Sequence, residues 1–412
     1  CWMKNADLHF DDITLQSYFQ PIVSIKTASV IGYEALVRGC DGRNEIVSPK
    51  VLFERAVTSE QRIDLDRLCR DSAARSFGEI GHRSGQPLLF LNFESSLIDM
   101  GVVGSGTLSR QCAEAGIAPS RVVIEIIESK VDDLDSMRRF IDTHRSQGFI
   151  IALDDVGEGY SNLSRIALVR PDIIKIDRSL ISGLSRDYMK QQIVCSLASL
   201  SHGIGALICA EGIETDDDAI AALDSGADLL QGYIFAKPCP AGEMDQHNLD
   251  ACIDELFGIY RKHSVTAAEK DRLVRRRHRD ALSGAVRELT RAGASDFDLI
   301  VSRYLDCMDE CECMYVLDGH GCQITNSIVR ECKSGERRAP AIFHPADPGT
   351  DHSRKEYFYA IAHTGSDHYT SPSYISSASG NLCRTVSLAF THELLNSRFL
   401  LCADFIVQDD CR

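Results

Sequence analysis

Along residues 14–238, short apolar runs alternate with longer stretches whose apolar positions recur at helical spacing. The runs fall at 18–25, 30–37, 88–93, 122–127, 150–154, 173–176, 206–209 and 232–236 and are rich in Val, Ile and Leu. Between most of them lie helical windows at 49–77, 106–115, 133–146, 188–202 and 216–225. Strands of this composition joined by helical crossovers predict a mostly parallel sheet covered on both faces. About eight strands in this length suit a closed (β/α)8-like barrel. Only residues 26–29 separate the first two runs, too few for a helical crossover, so that pair is expected to be antiparallel.

The pattern changes after the barrel segment. Residues 261–291 carry ten Lys or Arg against four acids, with Leu273, Val274, Ala281, Leu282, Ala285, Val286 and Leu289 near helical spacing. This reads as an amphipathic connecting helix with a solvated basic face; contact with nucleic acid or a membrane surface is the other reading of such a run. From about 295 onward, a helix and then strands near 313–317, 322–328, 357–363, 385–388 and 399–406 predict a small α+β module. The expected organisation is a barrel over 1–258, a basic linker helix over 259–293 and the α+β module over 294–412.

Composition narrows the function classes. The chain has 412 residues, 44% hydrophobic and 25% charged, and a formal charge of −16. That balance argues against disorder and against a general nucleic-acid polymer as partner, since phosphate backbones need a basic footprint. No apolar run reaches the roughly 18 residues of a membrane-spanning helix. No signal-peptide pattern opens the sequence, and the sixteen cysteines are scattered, so a reducing cytoplasm is expected. Cys307, Cys311 and Cys313, with Cys322 and Cys332 nearby, are read as buried thiols or as a metal or redox cluster of no standard spacing.

Polar residues recur at the C-terminal ends of the predicted strands: Asn92, Glu125 with Glu128, Asp154-Asp155, Lys175 with Asp177, and Glu211. In a barrel those ends form the catalytic face. Glu34, Asn92, Glu125, Asp154 and Asp155 offer oxygen ligands, which suit Mg²⁺ or Mn²⁺. Carboxylates so crowded repel one another unless cations compensate them. Adjacent Asp154 and Asp155 could share two metals, an arrangement suited to phosphodiester cleavage, with Lys175 polarising a water.

These residues stand in a recognisable order. Gln20-Pro21-Ile22, Glu34-Ala35-Leu36-Val37-Arg38, Asn92 in a Phe-Leu-Asn-Phe strand and Glu125-Ile126-Ile127-Glu128 come first. They are followed by Asp154-Asp155-Val156-Gly157-Glu158-Gly159-Tyr160-Ser161, Lys175-Ile176-Asp177, Ala210-Glu211-Gly212-Ile213-Glu214 and Gln231-Gly232-Tyr233. Residues 15–240 thereby resemble the EAL-domain cyclic di-GMP phosphodiesterases. The resemblance implies that Glu34, Asn92, Glu125 and Asp154 hold one divalent metal, that Asp154 bridges to a second, and that Asp155 completes it. Lys175 and Glu211, the latter at the metal site, would position the water. Gln231 would support that network, Glu128 would anchor the loop after Asp155, and the product would be linear pGpG. Gln20 and Arg38 would contact the dinucleotide, with Asn92, Asp177, Glu214, Gln231, Gly232 and Tyr233 in the substrate-contacting set. The sequence departs from the family at Ile127, where Thr is usual, and in the loop after Asp155, which carries the extra acid Glu158. A receptor that binds cyclic di-GMP without cleaving it is the alternative.

The C-terminal segment resembles PAS-like (Cache-type) sensor modules through Tyr315-Val316-Leu317-Asp318-Gly319-His320-Gly321, Arg354 with Tyr357-Phe358, Tyr369-Thr370-Ser371-Pro372, Tyr374 and Asp404. That resemblance implies a pocket lined by Tyr315, Arg354, Tyr357, Tyr369, Tyr374 and Asp404 for an unknown small polar ligand; a pocketless dimerisation domain is the other reading. The family often works as a homodimer, which is expected here.

Overall fold

In the computed structural model, residues 8–43, 45–80, 86–100, 106–127, 131–157, 163–330 and 342–407 are described. Glu128, residues 158–162 and Cys332, singled out above, lie outside them. The chain divides into two compact units, the first ending at Lys262 and the second beginning at His263.

Among the described residues, eight strands build the barrel of the first unit, with three short strands (Leu8–Phe10, Ile46–Val47 and Cys239–Pro240) added to its sheet: β1 (Ile13–Ser24), β2 (Ser29–Cys40), β3 (Leu88–Asn92), β4 (Val122–Ile126), β5 (Ile150–Val156), β6 (Ile173–Ile176), β7 (Leu207–Ala210) and β8 (Leu229–Gln231). From β2 through β8 each strand runs parallel to the next. β1 pairs antiparallel with both β2 and β8 and so closes the barrel. The expected antiparallel pair, β1 with β2, is present, and the pairing of β1 with β8 completes the closure.

Alternation along each strand decides what fills the barrel. Ile22, Phe90, Val123, Ala152, Ile173, Cys209 and Leu229, one from each of seven strands, form a buried interior layer. Two residues further along the parallel strands stand Asn92, Glu125, Asp154, Lys175, Glu211 and Gln231. On antiparallel β1 the equivalent step runs backward, from Ile22 to Gln20. The apolar layer therefore acts as the floor of a polar layer one step toward the carboxyl ends.

Local chemistry corrects three expected elements. The window 49–77 is two helices, Pro49–Arg55 and Ser59–Phe77. The Thr58 hydroxyl accepts from Gln61 N while Gln61 Oε1 accepts from Thr58 N, and this reciprocal cap starts the second helix. The run at 232–236 is not a strand; β8 ends at Gln231. A Cβ on Gly232 would sit 1.9 Å from the Ile213 carbonyl oxygen, so glycine is needed where the two segments cross. The third lies in the second unit, where 357–363 is a helix, Glu356–Ala362, and not a strand. Its aromatic run mimics a strand, but Tyr357, Phe358 and Ile361 are buried while Tyr359 is exposed, which is helical periodicity.

A long helix, Gln246–Leu289, contains the basic stretch up to Leu289, with Arg291 just beyond its end. Its Leu249, Ile253 and Leu256 belong to the barrel unit's core, and Leu282, Ala285 and Leu289 to that of the second unit. The second unit is an antiparallel sheet of β9 (Cys311–Asp318), β10 (Ile328–Val329), β11 (His368–Thr370), β12 (Tyr374–Ile375), β13 (Leu382–Thr391) and β14 (Arg398–Ile406). The order is β10-β9-β14-β13-β11, with β12 also on β13. The expected strand at 322–328 is reduced to β10 and a bridge between Leu317 and Gln323.

The two faces of this sheet differ. Met314 and Val316, Val386 and Leu388, and Leu401, Ala403 and Phe405 pack with Phe297, Ile300 and Val301 of the helix Phe297–Asp306. The alternate residues Cys313, Tyr315 and Leu317, with Leu400 and Cys402, meet Tyr357, Phe358 and Ile361 on the other face. A register shift between Cys311 and Cys313 puts these two thiols into different clusters. The Cys-x-Cys spacing therefore does not converge on one ligand, and burial pushes both thiols up.

Candidate active site

The polar layer of the barrel assembles around one ammonium. Lys175 Nζ lies 2.6 Å from Glu125 Oε1, 2.6 Å from Glu211 Oε1, 3.3 Å from Asp154 Oδ1 and 3.4 Å from Glu34 Oε2. β6 aims Lys175 inward because its apolar neighbours Ile174 and Ile176 face the outer helices and join the main core. Its side chain is 1% exposed.

Further bonds hold the layer. Asn92 Nδ2 donates to Glu34 Oε1 at 2.8 Å and Gln231 Nε2 donates to Glu34 Oε2 at 2.6 Å. Gln231 Nε2 also donates to Gln20 Oε1 at 3.2 Å, while Gln20 Nε2 donates to the Ala236 carbonyl. Gln20 and Glu34 are direct partners across β1 and β2, as Asn92 and Glu125 are across β3 and β4. Seven strands, and Glu211 just past the end of β7, thus contribute to one continuous network.

Its charges are unbalanced. Burial works against the Lys175 ammonium, but Asp154, Glu125, Glu211 and Glu34 together outweigh that and hold it well above its usual range. Burial pushes the Glu125 carboxyl well up, and the charges of Glu34 and Asp154 add to it. Burial likewise pushes Glu211 up to about 8, against Lys175 and with Asp154. Burial opposes ionisation at Glu34 also, but Lys175, Gln231 and Asn92 win and lower it. Four carboxylates against one ammonium leave excess negative charge inside a low-dielectric layer, and protons or added cations must neutralise it.

The donor set fits a divalent cation. Glu125 Oε2 is buried without a hydrogen-bond partner among the described residues. Asp154, Asp155 and Glu211 each bring a carboxylate oxygen within 4.8 Å of the others. Hard oxygen donors of this kind suit Mg²⁺ or Mn²⁺. Asp155 reaches its place through an unusual backbone: its φ is 55°, and the β5–β6 register shifts between Leu153 and Val156. A left-handed aspartate at a bulge is a strained arrangement of the kind that re-aims a side chain at a functional site.

Other residues from the sequence reading lie outside this network. Asp177 caps the helix Arg178–Ile181 by accepting from Ser179 N at 2.8 Å. Glu214 is exposed and pairs with Arg178 at 2.9 Å. Tyr233 is 52% exposed, with the Lys237 ammonium 5.6 Å from its ring centroid. Arg38 lies further along β2, its guanidinium 5.7 Å from the Tyr18 ring centroid.

The second unit holds a cavity of about 220 Å³ lined by Tyr315, Tyr357, Tyr374 and Asp404. Arg354 is exposed and not in its lining, and Tyr369 instead donates to Glu356 at 2.5 Å. His352 and Lys355 line the cavity but were not singled out in the sequence. His352 is buried through its contacts with Gln323 and Tyr357, a tertiary arrangement with no periodic signature.

Comparison with known proteins bears on both units. Residues 6–238 match the model of the EAL domain. An uncharacterized Mycobacterium tuberculosis protein is 30% identical over 244 residues, 58% of this chain; the chain spans only 38% of that relative's length. YkuI, an uncharacterized EAL-domain protein of Bacillus subtilis, is 25% identical over 331 residues, 78% of this chain and 79% of YkuI. The cyclic di-GMP phosphodiesterase RocR of Pseudomonas aeruginosa is 27% identical over 252 residues, 59% of this chain and 61% of RocR. A crystal structure of YkuI with c-di-GMP and calcium matches in fold over 97% of each chain, with a TM-score of 0.78 at 23% identity. Klebsiella pneumoniae BlrP1 with manganese and cyclic di-GMP matches over 58% of this chain and 60% of BlrP1, with a TM-score of 0.51 at 29% identity. The motif order, the closed barrel with its single antiparallel strand and the match over residues 6–238 agree: this chain belongs to the EAL domain family.

Proposed function

We propose that the chain is a metal-dependent phosphodiesterase that hydrolyses cyclic di-GMP to linear pGpG, under control of its second unit. The observation that carries this reading is the convergence of Glu34, Asn92, Glu125, Asp154, Lys175 and Glu211 on one rim, with excess negative charge around one lysine. Glu34, Asn92, Glu125 and Asp154 would hold one Mg²⁺ or Mn²⁺, and Asp154, Asp155 and Glu211 a second. Bound there, the cations would supply Lewis-acid charge to the phosphodiester oxygens.

The chain's own residues do the rest. Lys175 and Glu211 orient a water toward phosphorus, Lys175 as donor and Glu211 as acceptor of a water proton. Water adds to phosphorus, the bond from phosphorus to the 3′ oxygen breaks, and a proton ends on that oxygen. Gln231 fixes the Glu34 carboxylate, and Gln20 fixes Gln231. Arg38 contacts a phosphate of the dinucleotide; Asp177, Glu214, Gly232 and Tyr233 border the nucleotide, and Glu128 anchors the loop that follows Asp155. RocR, whose name states this activity, supports the reading through its match to the same segment.

A homodimer in the cytoplasm is part of the proposal. Met189 and Ile193, one turn apart on the helix Tyr188–Gly203, are 66% and 43% exposed, as for a surface that a second copy covers. No helix among the described residues is long and apolar enough to cross a membrane. Incubation of the full chain with cyclic di-GMP and Mn²⁺, followed by chromatography, tests the activity. Appearance of pGpG supports it; nucleotide that stays bound and intact supports the receptor reading instead.

A further inference from the structure

The barrel unit buries a second ion pair, on a helix that covers the barrel. Asp66 and Arg70 lie one turn apart on the helix Ser59–Phe77, both buried, and the Arg70 guanidinium donates to Asp66 Oδ2. Burial raises the Asp66 carboxyl, and Arg70 and the Glu94 amide offset that only in part. Arg70 Nε has no hydrogen-bond partner among the described residues. Apolar side chains of similar size would serve a helix face as well or better, so stability alone does not account for the pair. What the pair touches is the exit of β3. Asp66 Oδ1 accepts from Glu94 N at 3.2 Å, and the Arg70 guanidinium lies 4.8 Å from the Phe93 ring centroid. Phe93 and Glu94 are the two residues that follow Asn92. Phe93 N donates in turn to the Glu125 carbonyl at 3.0 Å. One residue on, buried Ser95 accepts at Oγ from Ile127 N at 3.2 Å, two positions past Glu125. Residues 93–95 are thus held by the helix and themselves hold the end of β4.

We propose that Asp66 is a positioning residue for the first cation: with Arg70 holding its carboxylate, it fixes residues 93–95 so that Asn92 and Glu125 present their oxygens at one place. Asn92 is the last residue of β3, where the ladder no longer restrains the chain. Its side chain has two tasks, since Nδ2 donates to Glu34 while Oδ1 is the atom left for a cation. A small displacement of the backbone beyond it would spoil both. A carboxylate suits the supporting role because its two oxygens accept separately, one from the Glu94 amide and one from the guanidinium. Loss of a group that orients a ligand typically lowers metal affinity by about 10- to 100-fold. This inference rests on the cation site proposed above.

Calorimetric titration of the full chain with Mn²⁺ tests this without relying on turnover. Asp66→Leu with Arg70→Met removes both charges together, so it leaves no orphaned ion and should still show a cooperative melting transition. Its Mn²⁺ affinity should nevertheless fall at least about ten-fold. Asp66→Asn with Arg70→Met differs in keeping an oxygen for the Glu94 amide, and should recover most of the affinity. Parental Mn²⁺ affinity in the folded Leu–Met variant would overturn the proposal, and so would equal weakening in both double variants. Ser95→Ala removes only the link to β4 and decides the matter if the Leu–Met variant does not fold: weaker Mn²⁺ binding supports the proposal, and unchanged binding overturns it. Hydrolysis of cyclic di-GMP is read separately. If the parent binds Mn²⁺ but leaves the nucleotide intact, weaker Mn²⁺ binding in the variants keeps the positioning role and refutes the phosphodiesterase. If pGpG forms while all variants bind Mn²⁺ like the parent, the reverse holds. A parent that binds no Mn²⁺ overturns both.

Discussion

Replacing Lys175 by Met keeps most of the side-chain volume and removes the cation that four carboxylates share. Breaking a buried ion pair costs roughly 3–5 kcal/mol, because the remaining charge stays buried without its partner. Protonation relieves part of this, since burial already pushes Glu125 and Glu211 up, so about 3 kcal/mol is the expected cost without metal. In a unit of this size each kcal/mol moves the melting temperature by about 2–4 °C, so the barrel transition should fall by about 6–12 °C in chelator. Mn²⁺ should restore most of that, because it neutralises the same carboxylates. Hydrolysis should fall at least about 100-fold even with Mn²⁺, as for loss of a group that positions the attacking water. Scanning fluorimetry with and without metal, and chromatography of the nucleotide, measure both. A variant that melts like the parent in chelator would refute the charge balance, and parental turnover would refute the water-positioning role.

Gln231→Ala should lower turnover by about 10–100-fold with the carboxylates intact, because it releases Glu34; steady-state kinetics against Mn²⁺ concentration should show weaker metal dependence as well. Glu128→Gln should reduce turnover through loop position, with Mn²⁺ affinity by calorimetry unchanged. Asp404 predicts a pH effect. Its folded value, about 6, exceeds the ordinary 3.8, so the folded state binds the extra proton and stability falls as pH rises from about 4 to about 6. That is worth about 3 kcal/mol, so Asp404→Asn should melt higher than the parent at pH 7 and lose the slope; melting curves across pH 4–7 check this.

The barrel was legible because its signal repeats. Apolar runs at strand spacing, each ending in a polar residue two positions beyond an inward apolar one, encode both the sheet and its rim. Glu125, Asp154, Lys175 and Glu211 could be placed on one face from that period alone. What the sequence could not show is that Lys175 lies among all four carboxylates at once, since that depends on the barrel's closure between β1 and β8. The second unit was less legible. Tyr357 and its aromatic neighbours look like a strand until the burial of Phe358 and Ile361 shows a helix. Arg354 looked like a pocket residue, yet it is exposed, and Lys355 beside it takes the cavity. Single polar residues in loops carry no period, so their partners appear only in three dimensions.

The central claim is hydrolysis at the carboxylate–lysine rim, and its most direct measurement uses ¹⁸O-enriched water. The full chain, cyclic di-GMP and Mn²⁺ are incubated, and the nucleotide is analysed by mass spectrometry. The account predicts pGpG with one ¹⁸O in its terminal 5′ phosphate, and no product when Mn²⁺ is chelated. Intact cyclic di-GMP, or the same product in chelator, would contradict it.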